Sequence, residues 1–329
     1  MILAGDVGGT STRLALFAGA RDELRLIAEA SYRSGDFGGL ADVLVAFRAQ
    51  HSEPFDAAGF GIAGPVIDDS VATTNLPWAI TASDLARALG LAHVRLINDL
   101  EANAWGVAAV DAAQLLTVQA GRADAIGHRT VVSAGTGLGV AGLFWDGRMH
   151  RPFATEAGHI DFAPRDRLET ELLADLAARY ARVSCERVLS GPGLVRIFEF
   201  LERLRPGRVA AGIAVRMRAE DPAAVIAAAA LAQECEVCVE ALDRFVAIYG
   251  AVAGNIALAH FALGGVYLGG GIAPKIAARL ATPAFIEAFL DKGRMRSLLE
   301  AIPVRVVLDP QTALRGVARC VAHDLGSTG

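Results

Sequence analysis

The sequence lacks the features by which nucleic-acid and membrane proteins bind their partners. Aromatic residues make up 6% of the 329 residues, and 31 basic against 36 acidic side chains give a formal net charge of −5. No block of like charge stands out, so nucleic acid and anionic membranes are poor partners. The longest apolar run, 223–232, is too short to span a bilayer, and Asp6 interrupts the N-terminal one. We therefore expect no signal peptide and a cytoplasmic protein.

Cysteine is also scarce. The four cysteines, Cys185, Cys235, Cys238 and Cys320, are too few and too scattered for a disulfide framework. Cys235 and Cys238 form a Cys-x-x-Cys within an Ala-rich helical pattern, without a second pair or a nearby His. We expect buried helix packing there rather than a metal or redox site.

Two common nucleotide-binding motifs are missing. No Gly-x-x-x-x-Gly-Lys-Ser/Thr occurs, which excludes a P-loop protein. Segment 135–139, Gly-Thr-Gly-Leu-Gly, is one residue short of the dinucleotide pattern and leads into a predicted strand, where the Rossmann motif needs a helix. A nicotinamide enzyme is therefore the weaker hypothesis.

What the chain does contain is a two-domain α/β pattern. Its length allows two domains, and its 53% hydrophobic residues are mostly Ala, Leu and Val. Three strands followed by alternating helix and strand predict a mixed sheet with ligands at the strand ends. A long helix is predicted from Asp221 toward Tyr249. Strands are predicted at 2–4, 11–17, 24–30, 57–62, 93–97, 129–134, 140–145 and 265–268, and the early helices around 40–47 and 83–89.

Glycine turns follow three of these strands. The first, 5–10, can bring backbone N–H groups close to a polyphosphate, with a hydroxyl from Thr10 and with Asp6 beside Mg²⁺ through water. A Gly-Gly hairpin turn without a ligand is the alternative. The pattern of strand, Gly/Thr turn and strand recurs at 129–145, which suggests two related lobes. A third glycine cluster occupies 269–271.

Six motifs, in order and spanning nearly the whole chain, resemble those of bacterial glucokinases, sugar kinases of the actin/hexokinase/Hsp70-like superfamily. They are D-V-G-G-T at 6–10, I-N-D at 97–99, A-G-T-G-L-G at 134–139, E-A-G-H at 156–159, E-R-V-L-S-G-P-G at 186–193 and G-G-G-I-A-P at 269–274. The resemblance implies ATP- and Mg²⁺-dependent phosphorylation of the 6-hydroxyl of glucose. It also implies a two-lobed actin-like (ribonuclease H-like) α/β fold with a cleft. We predict a small lobe at 1–109 plus 302–329 and a large lobe at 110–301.

The resemblance also implies roles for individual residues. Asp99 is the expected catalytic base and contacts the sugar, although from position alone a helix N-cap is equally probable. Glu156 and His159 could instead form a surface salt link, and Glu186 could be a first-turn helix carboxylate. The expected sugar contacts, besides Asp99, are Asn75, Asn98, Glu156, His159 and Glu186. The expected nucleotide contacts are Gly5, Asp6, Val7, Gly8, Gly9, Thr10, Gly135, Thr136, Gly137, Gly270 and Gly271.

The chain departs from its relatives in two places. Ser11 stands where we expect Asn in many relatives, and no Cys cluster follows His159, so we expect no structural zinc. We also expect no DNA-reading domain.

Trp78 and Trp105 are expected in the core. A homodimer is conceivable because relatives often dimerise and the helix after Asp221 could form an interface, although a buried helix explains it equally well. The alternatives are a kinase of another hexose and a catalytically silent sugar sensor on the same fold.

Overall fold

The computed structural model describes residues 1–19, 23–73 and 76–327. It divides into two compact units, the first comprising Met1–Ala112, His150–Ala154 and Asp309–Gly329 and the second Ala113–Met149 and Thr155–Leu308. The predicted lobe boundaries at 110 and 302 stay a prediction.

The secondary structure, in chain order, begins with β1 (Ile2–Val7), β2 (Ser11–Ala18), β3 (Arg25–Arg33), α1 (Leu40–Gln50), β4 (Ala57–Ile62), β5 (Ser70–Ala72), β6 (Ala79–Thr81), α2 (Ala82–Leu89), β7 (Val94–Asn98) and α3 (Asp99–Val107). It continues with β8 (Leu115–Gln119), β9 (Arg129–Ala134), β10 (Leu138–Trp145), β11 (His150–Thr155), α4 (Arg167–Tyr180), α5 (Gly191–Leu204), α6 (Ala211–Ala219), α7 (Pro222–Leu231) and α8 (Glu236–Ala259). The last elements are β12 (Gly265–Gly269), α9 (Ala277–Leu280), α10 (Pro283–Leu290), α11 (Arg296–Glu300), β13 (Val304–Val307) and α12 (Thr312–Ser327). Short 3₁₀ helices lie at Ser34–Asp36, Ala112–Gln114, Ala157–His159, Cys185–Arg187 and Gly293–Met295.

The first unit is a sheet with helices on both faces. Its strand order is β3-β2-β1-β4-β7, in which β1, β4 and β7 are parallel and β2 and β3 antiparallel. Alternate residues of β1 point to opposite faces, so Leu3 packs in the core that contains α1 and α2. Ile2 packs in the core that α12 and Ala102 of α3 complete. Because α3 starts where β7 ends, the sheet places residue 99 at its carboxyl edge.

In the second unit, adjacent strands follow the order β10-β9-β12-β13-β8, with β9, β12 and β13 parallel. One large apolar core lies between these strands and α5, α7, α8 and α10. The second and third glycine turns follow β9 and β12, which are direct neighbours. Parallel pairing therefore brings both turns to the same edge of the sheet.

The prediction of one long helix from Asp221 toward Tyr249 is wrong. The structure has two helices there, α7 and α8. Gln233 adopts a left-handed backbone with φ 57°. The Glu234 N–H donates to the Ala229 carbonyl at 2.9 Å, as in a Schellman C-cap. Cys235 is consequently the N-cap of α8 rather than a residue inside a helix, while Cys238 lies within α8.

The cysteine pair is packed in the core, as predicted. Cys235 is 5% exposed and Cys238 fully buried, and burial raises the pKa of the Cys238 thiol to about 12. A thiol in that environment stays protonated and unreactive at neutral pH. Trp78 is also in the core, as predicted, at 4% exposure. Across the described ranges, no helix combines the length and apolar character that spanning a bilayer would need.

Candidate active site

The first glycine turn, between β1 and β2, is held by a buried serine. The Gly8 N–H donates to the Ser11 carbonyl at 3.0 Å, and the Ser34 N–H donates to the Thr10 carbonyl at 3.1 Å. The Ser34 hydroxyl donates to the Gly8 carbonyl at 2.8 Å and lies 3.0 Å from the Thr12 hydroxyl. Ser34 is fully buried, so its hydrogen bonds fix the buried side of the turn, whereas Thr10 is exposed. The sequence analysis missed Ser34 because it lies far from the glycines in the chain.

Two predicted nucleotide contacts within β1 have packing roles. A Cβ on Gly5 would lie 2.3 Å from the ring of Phe60, so this glycine makes room for an aromatic ring. Val7 is 1% exposed and belongs to the core beside α1 and α2. Phosphate contacts at these two positions stay a prediction.

Asp6 forms an ion pair at the end of β1. It lies opposite Arg13 in the antiparallel register, and Arg13 Nη2 donates to Asp6 Oδ2 at 2.6 Å. Arg13 Nη1 donates to the Pro310 carbonyl at 2.7 Å, which fixes the guanidinium. Arg13 holds one oxygen of the Asp6 carboxylate. The pair therefore fits a role in which the other oxygen contacts a nucleotide-bound Mg²⁺ through water. Among the described residues no group of three metal-ligating side chains forms a protein-only site.

Asn98, not Asp99, caps α3. Asn98 Oδ1 accepts from the N–H groups of Leu100 at 2.9 Å and Glu101 at 3.4 Å, and its Nδ2 donates to the Gly64 carbonyl at 2.9 Å. Asn98 is 9% exposed. Asp99 is the first helical residue, and its Oδ1 accepts from Leu100 N–H at 3.0 Å. The positive end of the helix dipole stabilises the ionised carboxylate.

The second and third glycine turns meet the start of α5. The Gly135 carbonyl accepts from the Gly191 N–H at 2.8 Å. The Gly135 α-carbon faces Gly271, whose nitrogen would lie 4.0 Å from a Cβ at 135. Gly270 has φ +80° and lies against the Ala134 carbonyl, 2.4 Å from the position of a Cβ, so only glycine fits there.

A pocket of about 690 Å³ opens beside these turns, within the usual size range of small-molecule sites. Gly135, Thr136 and Gly271 form one wall. The N-terminal residues of α5 and α7 and Lys275, one of the chain's two lysines, form others. The pocket therefore combines exposed backbone and apolar surface with both basic and acidic side chains, Glu199 and Asp221 being the acidic ones.

One side of the pocket carries a cluster of arginines around Tyr180. Arg196 Nε donates to the Tyr180 hydroxyl at 3.1 Å, and this hydrogen bond lowers the pKa of Tyr180. The Arg187 guanidinium lies 4.2 Å from the centre of the same ring. Arg179, Tyr180 and Arg196 line the pocket. The sequence analysis found none of these three, because they come from α4 and α5 and match no local motif.

Glu156 and His159 lie in an exposed turn. Glu156 precedes the 3₁₀ helix Ala157–His159, and His159 Nε2 is 3.9 Å from Glu156 Oε2. The side chains are 57% and 66% exposed for His159 and Glu156, so they are accessible to a ligand. A Cβ on Gly158 would lie 1.8 Å from the Leu138 carbonyl oxygen, which places the turn directly on β10.

Glu186 lies beside the second glycine turn, in the first turn of a short 3₁₀ helix that precedes α5. It belongs to the 3₁₀ helix Cys185–Arg187, whereas Ser190 caps α5 through a 3.1 Å hydrogen bond from the Gly193 N–H. Glu186 Oε2 accepts from the Leu138 N–H at 3.0 Å. The structure thus brings the turn that carries Glu156 and His159 and the segment that carries Glu186 to the same residue, Leu138 of β10.

The remaining predicted sugar contact, Asn75, lies outside the described residues. Of the others, Asn98 and Asp99 lie in the first unit with the turn at Gly8, Gly9 and Thr10. The residues gathered around Leu138 lie in the second unit with the pocket.

Comparison with known proteins identifies the family of the chain. The family model for glucokinase matches residues 3–324. The chain belongs to the glucokinase family. The glucokinase of Trichormus variabilis is 40% identical to it, over 98% of this chain and 99% of the relative.

Solved structures of glucokinases have the same fold. The glucokinase from an Antarctic psychrotroph superposes with a TM-score of 0.84 at 32% identity, over 98% of both chains. A ROK family glucokinase from Streptomyces griseus, in complex with glucose and AMPPNP, superposes with a TM-score of 0.65 at 20% identity, over 98% of this chain and 99% of the other. The predicted fold class, that of the actin-like sugar kinases, is confirmed.

Proposed function

We propose that this glucokinase-family chain transfers the γ-phosphoryl group of ATP to the 6-hydroxyl of glucose, with Asp99 as the general base. The capping of α3 carries this proposal. Because Asn98 satisfies the first N–H groups of the helix, the fold does not need the Asp99 side chain as its N-cap. Asp99 stands at the carboxyl end of a parallel strand, where ligands of open α/β sheets bind. An ionised carboxylate there can accept the hydroxyl proton as the oxygen attacks phosphorus.

Glu156, His159 and Glu186 are proposed to bind the sugar hydroxyls. Two carboxylates and an imidazole offer both acceptors and a donor, which is the mixture that several hydroxyl groups require. Glu156 and His159 are more than half exposed, so a ligand can reach them. Asn98 can contribute only through its Nδ2 group, because its Oδ1 already accepts two backbone N–H groups.

The nucleotide is proposed to bind in the pocket beside Gly135, Thr136 and Gly271, with Lys275, Arg179 and Arg196 offsetting phosphate charge. Asp6 would hold Mg²⁺ through water, and the metal would neutralise charge on the phosphates. We also propose that the protein acts in the cytoplasm without nucleic acid or membrane partners, in keeping with its −5 net charge. A homodimer stays a prediction.

A coupled ADP-release assay tests the proposal. Glucose should give the highest kcat/KM in a panel that includes mannose, fructose and N-acetylglucosamine. Asp99→Asn should abolish measurable turnover while glucose affinity stays within about tenfold, because the amide keeps the size of the carboxylate but takes no proton.

Asp42→Asn, an exposed change of the same kind on α1, is the matched control and should retain full turnover. Near wild-type turnover of Asp99→Asn would remove Asp99 from the role of base. Preference for another sugar would support the alternative hexose kinase, and sugar binding without turnover would support the sensor.

A further inference from the structure

Leu138, the first residue of β10, contacts both segments that carry the proposed sugar ligands. Its N–H donates to Glu186 Oε2 at 3.0 Å. Its carbonyl oxygen lies so close to Gly158 that a Cβ there would come within 1.8 Å. Gly158 stands between Glu156 and His159 in the chain. The main chain of one residue therefore supports the turn on one side and orients the carboxylate on the other.

Leu138 also follows the second glycine turn directly, so its hydrogen bond ties the turn to Glu186. The Gly135 carbonyl accepts from the Gly191 N–H at 2.8 Å, which gives a second link between the turn and the segment after Glu186. The Ser190 hydroxyl donates to the Glu186 carbonyl at 2.8 Å and stiffens that segment. A displacement of the turn by bound phosphates would consequently reach the Glu186 carboxylate.

Gly137 is the position where this link can be altered without breaking the fold. A Cβ there would lie 2.5 Å from Glu186 Oε2 and 3.4 Å from its Cδ. The backbone of Gly137 lies outside the left-handed region, so alanine can adopt it. The clash is with the movable end of a side chain, and the carboxylate can swing away. The glycine thus leaves room for Glu186.

We propose that Gly137 and Leu138 are positioning residues for the sugar, and that the nucleotide turn sets the place of Glu186. The inference rests on the proposed function, because it takes Glu186 as a sugar ligand. It goes further in one respect. A glycine of the phosphate turn then controls sugar affinity.

Calorimetric titration with glucose and, separately, with Mg²⁺-AMPPNP tests the inference. Gly137→Ala should weaken glucose binding by about tenfold or more, the usual effect of misplacing one charged hydrogen-bond partner. Its affinity for Mg²⁺-AMPPNP should fall by less than its affinity for glucose, because the added Cβ meets only Glu186. Gly135→Ala, whose Cβ meets only Gly271 at 4.0 Å, should instead weaken binding of Mg²⁺-AMPPNP and leave glucose affinity unchanged. Gly212→Ala on α6, with nothing within 4 Å, should change neither affinity.

A double mutant separates displacement of Glu186 from general distortion. In the Glu186→Ala background, Gly137→Ala should cause no further loss of glucose affinity, because the group that it displaces is gone. Losses that multiply would overturn the inference, and so would wild-type glucose affinity in Gly137→Ala. If Gly137→Ala does not fold, the double mutant should fold, and failure of both would equally overturn it.

The same titrations distinguish this inference from the proposed function. A wild-type protein that does not bind glucose would refute the proposed function and the inference with it. Normal wild-type binding and turnover, with glucose affinity untouched by Gly137→Ala, would refute the positioning role alone.

Discussion

The contact between α3 and α12 gives a prediction whose size follows from the structure. The two helices touch through glycines: a Cβ on Gly316 would lie 1.8 Å from the Ala102 carbonyl oxygen, and one on Gly106 would lie 1.9 Å from the Thr312 carbonyl oxygen. Ordinary van der Waals contacts of a Cβ begin at 3.4 Å. Gly316→Ala therefore forces the helices apart, because the atoms in its way, the Ala102 carbonyl and the Gly106 nitrogen, belong to the backbone and cannot rotate away.

The expected cost is the difference between two effects. Overpacking a well-packed contact costs about 1–3 kcal/mol, and replacing a helical glycine with alanine stabilises the helix by up to about 1 kcal/mol. Gly326→Ala, also on α12, adds a Cβ with nothing within 4 Å and has only the second effect. Comparing these two variants removes most of the propensity contribution. Gly316→Ala should be less stable than Gly326→Ala by about 1–3 kcal/mol.

Urea unfolding followed by tryptophan fluorescence measures this difference. Trp105 lies on α3 and packs against the core that α12 completes, so it reports on the contact itself. The kcat of Gly316→Ala should fall as well, because α3 begins at the proposed base, Asp99. A Gly316→Ala midpoint equal to or above that of Gly326→Ala would refute the argument, since it would mean that the helices separate without cost.

Two further predictions concern the first glycine turn and acid stability. Ser34→Ala should destabilise the first unit by about 1–3 kcal/mol and raise the KM for ATP, because the Gly8 carbonyl loses its buried donor; exposed Ser83→Ala is the control, and an unchanged KM with normal folding would contradict the role of Ser34. Burial lowers the pKa of His260, whose stabilising contribution is therefore present above its ordinary pKa of 6.5 and lost as pH falls below it. The wild type should therefore have a lower urea midpoint at about pH 5.5 than at about pH 7.5, and this difference should shrink in His260→Gln. A difference as large as in the wild type would exclude His260 as its source.

Local patterns in the sequence predicted most strands of the fold, because apolar periodicity and glycine turns are local signals. The strands at 57–62 and 129–134 match those of the structure residue for residue. The break at Gln233 has no such signal: neither Gly nor Pro marks it, and a glutamine adopts the left-handed position.

The candidate site was less predictable where it depends on contacts between distant residues. Asn98 and Asp99 are equally good capping residues, so only the backbone geometry shows that Asn98 is the cap. Gly158 looks like any turn glycine until the Leu138 carbonyl oxygen is found against it. Gly5 belongs to a glycine motif, yet the group that requires it to be glycine is the ring of Phe60.

The first unit is assembled from segments that precede and follow the second unit in the chain, and this constrains the order in which the two can fold during synthesis. One face of its sheet is completed by α12, through residues such as Leu314, Val317 and Val321. These residues are synthesised after the second unit, so that face of β1 and β4 stays uncovered while residues 113–308 are made. The second unit, whose residues end at Leu308, can complete its core earlier. A nascent or truncated chain that lacks α12 would expose this apolar surface to chaperones, proteases and other copies of itself.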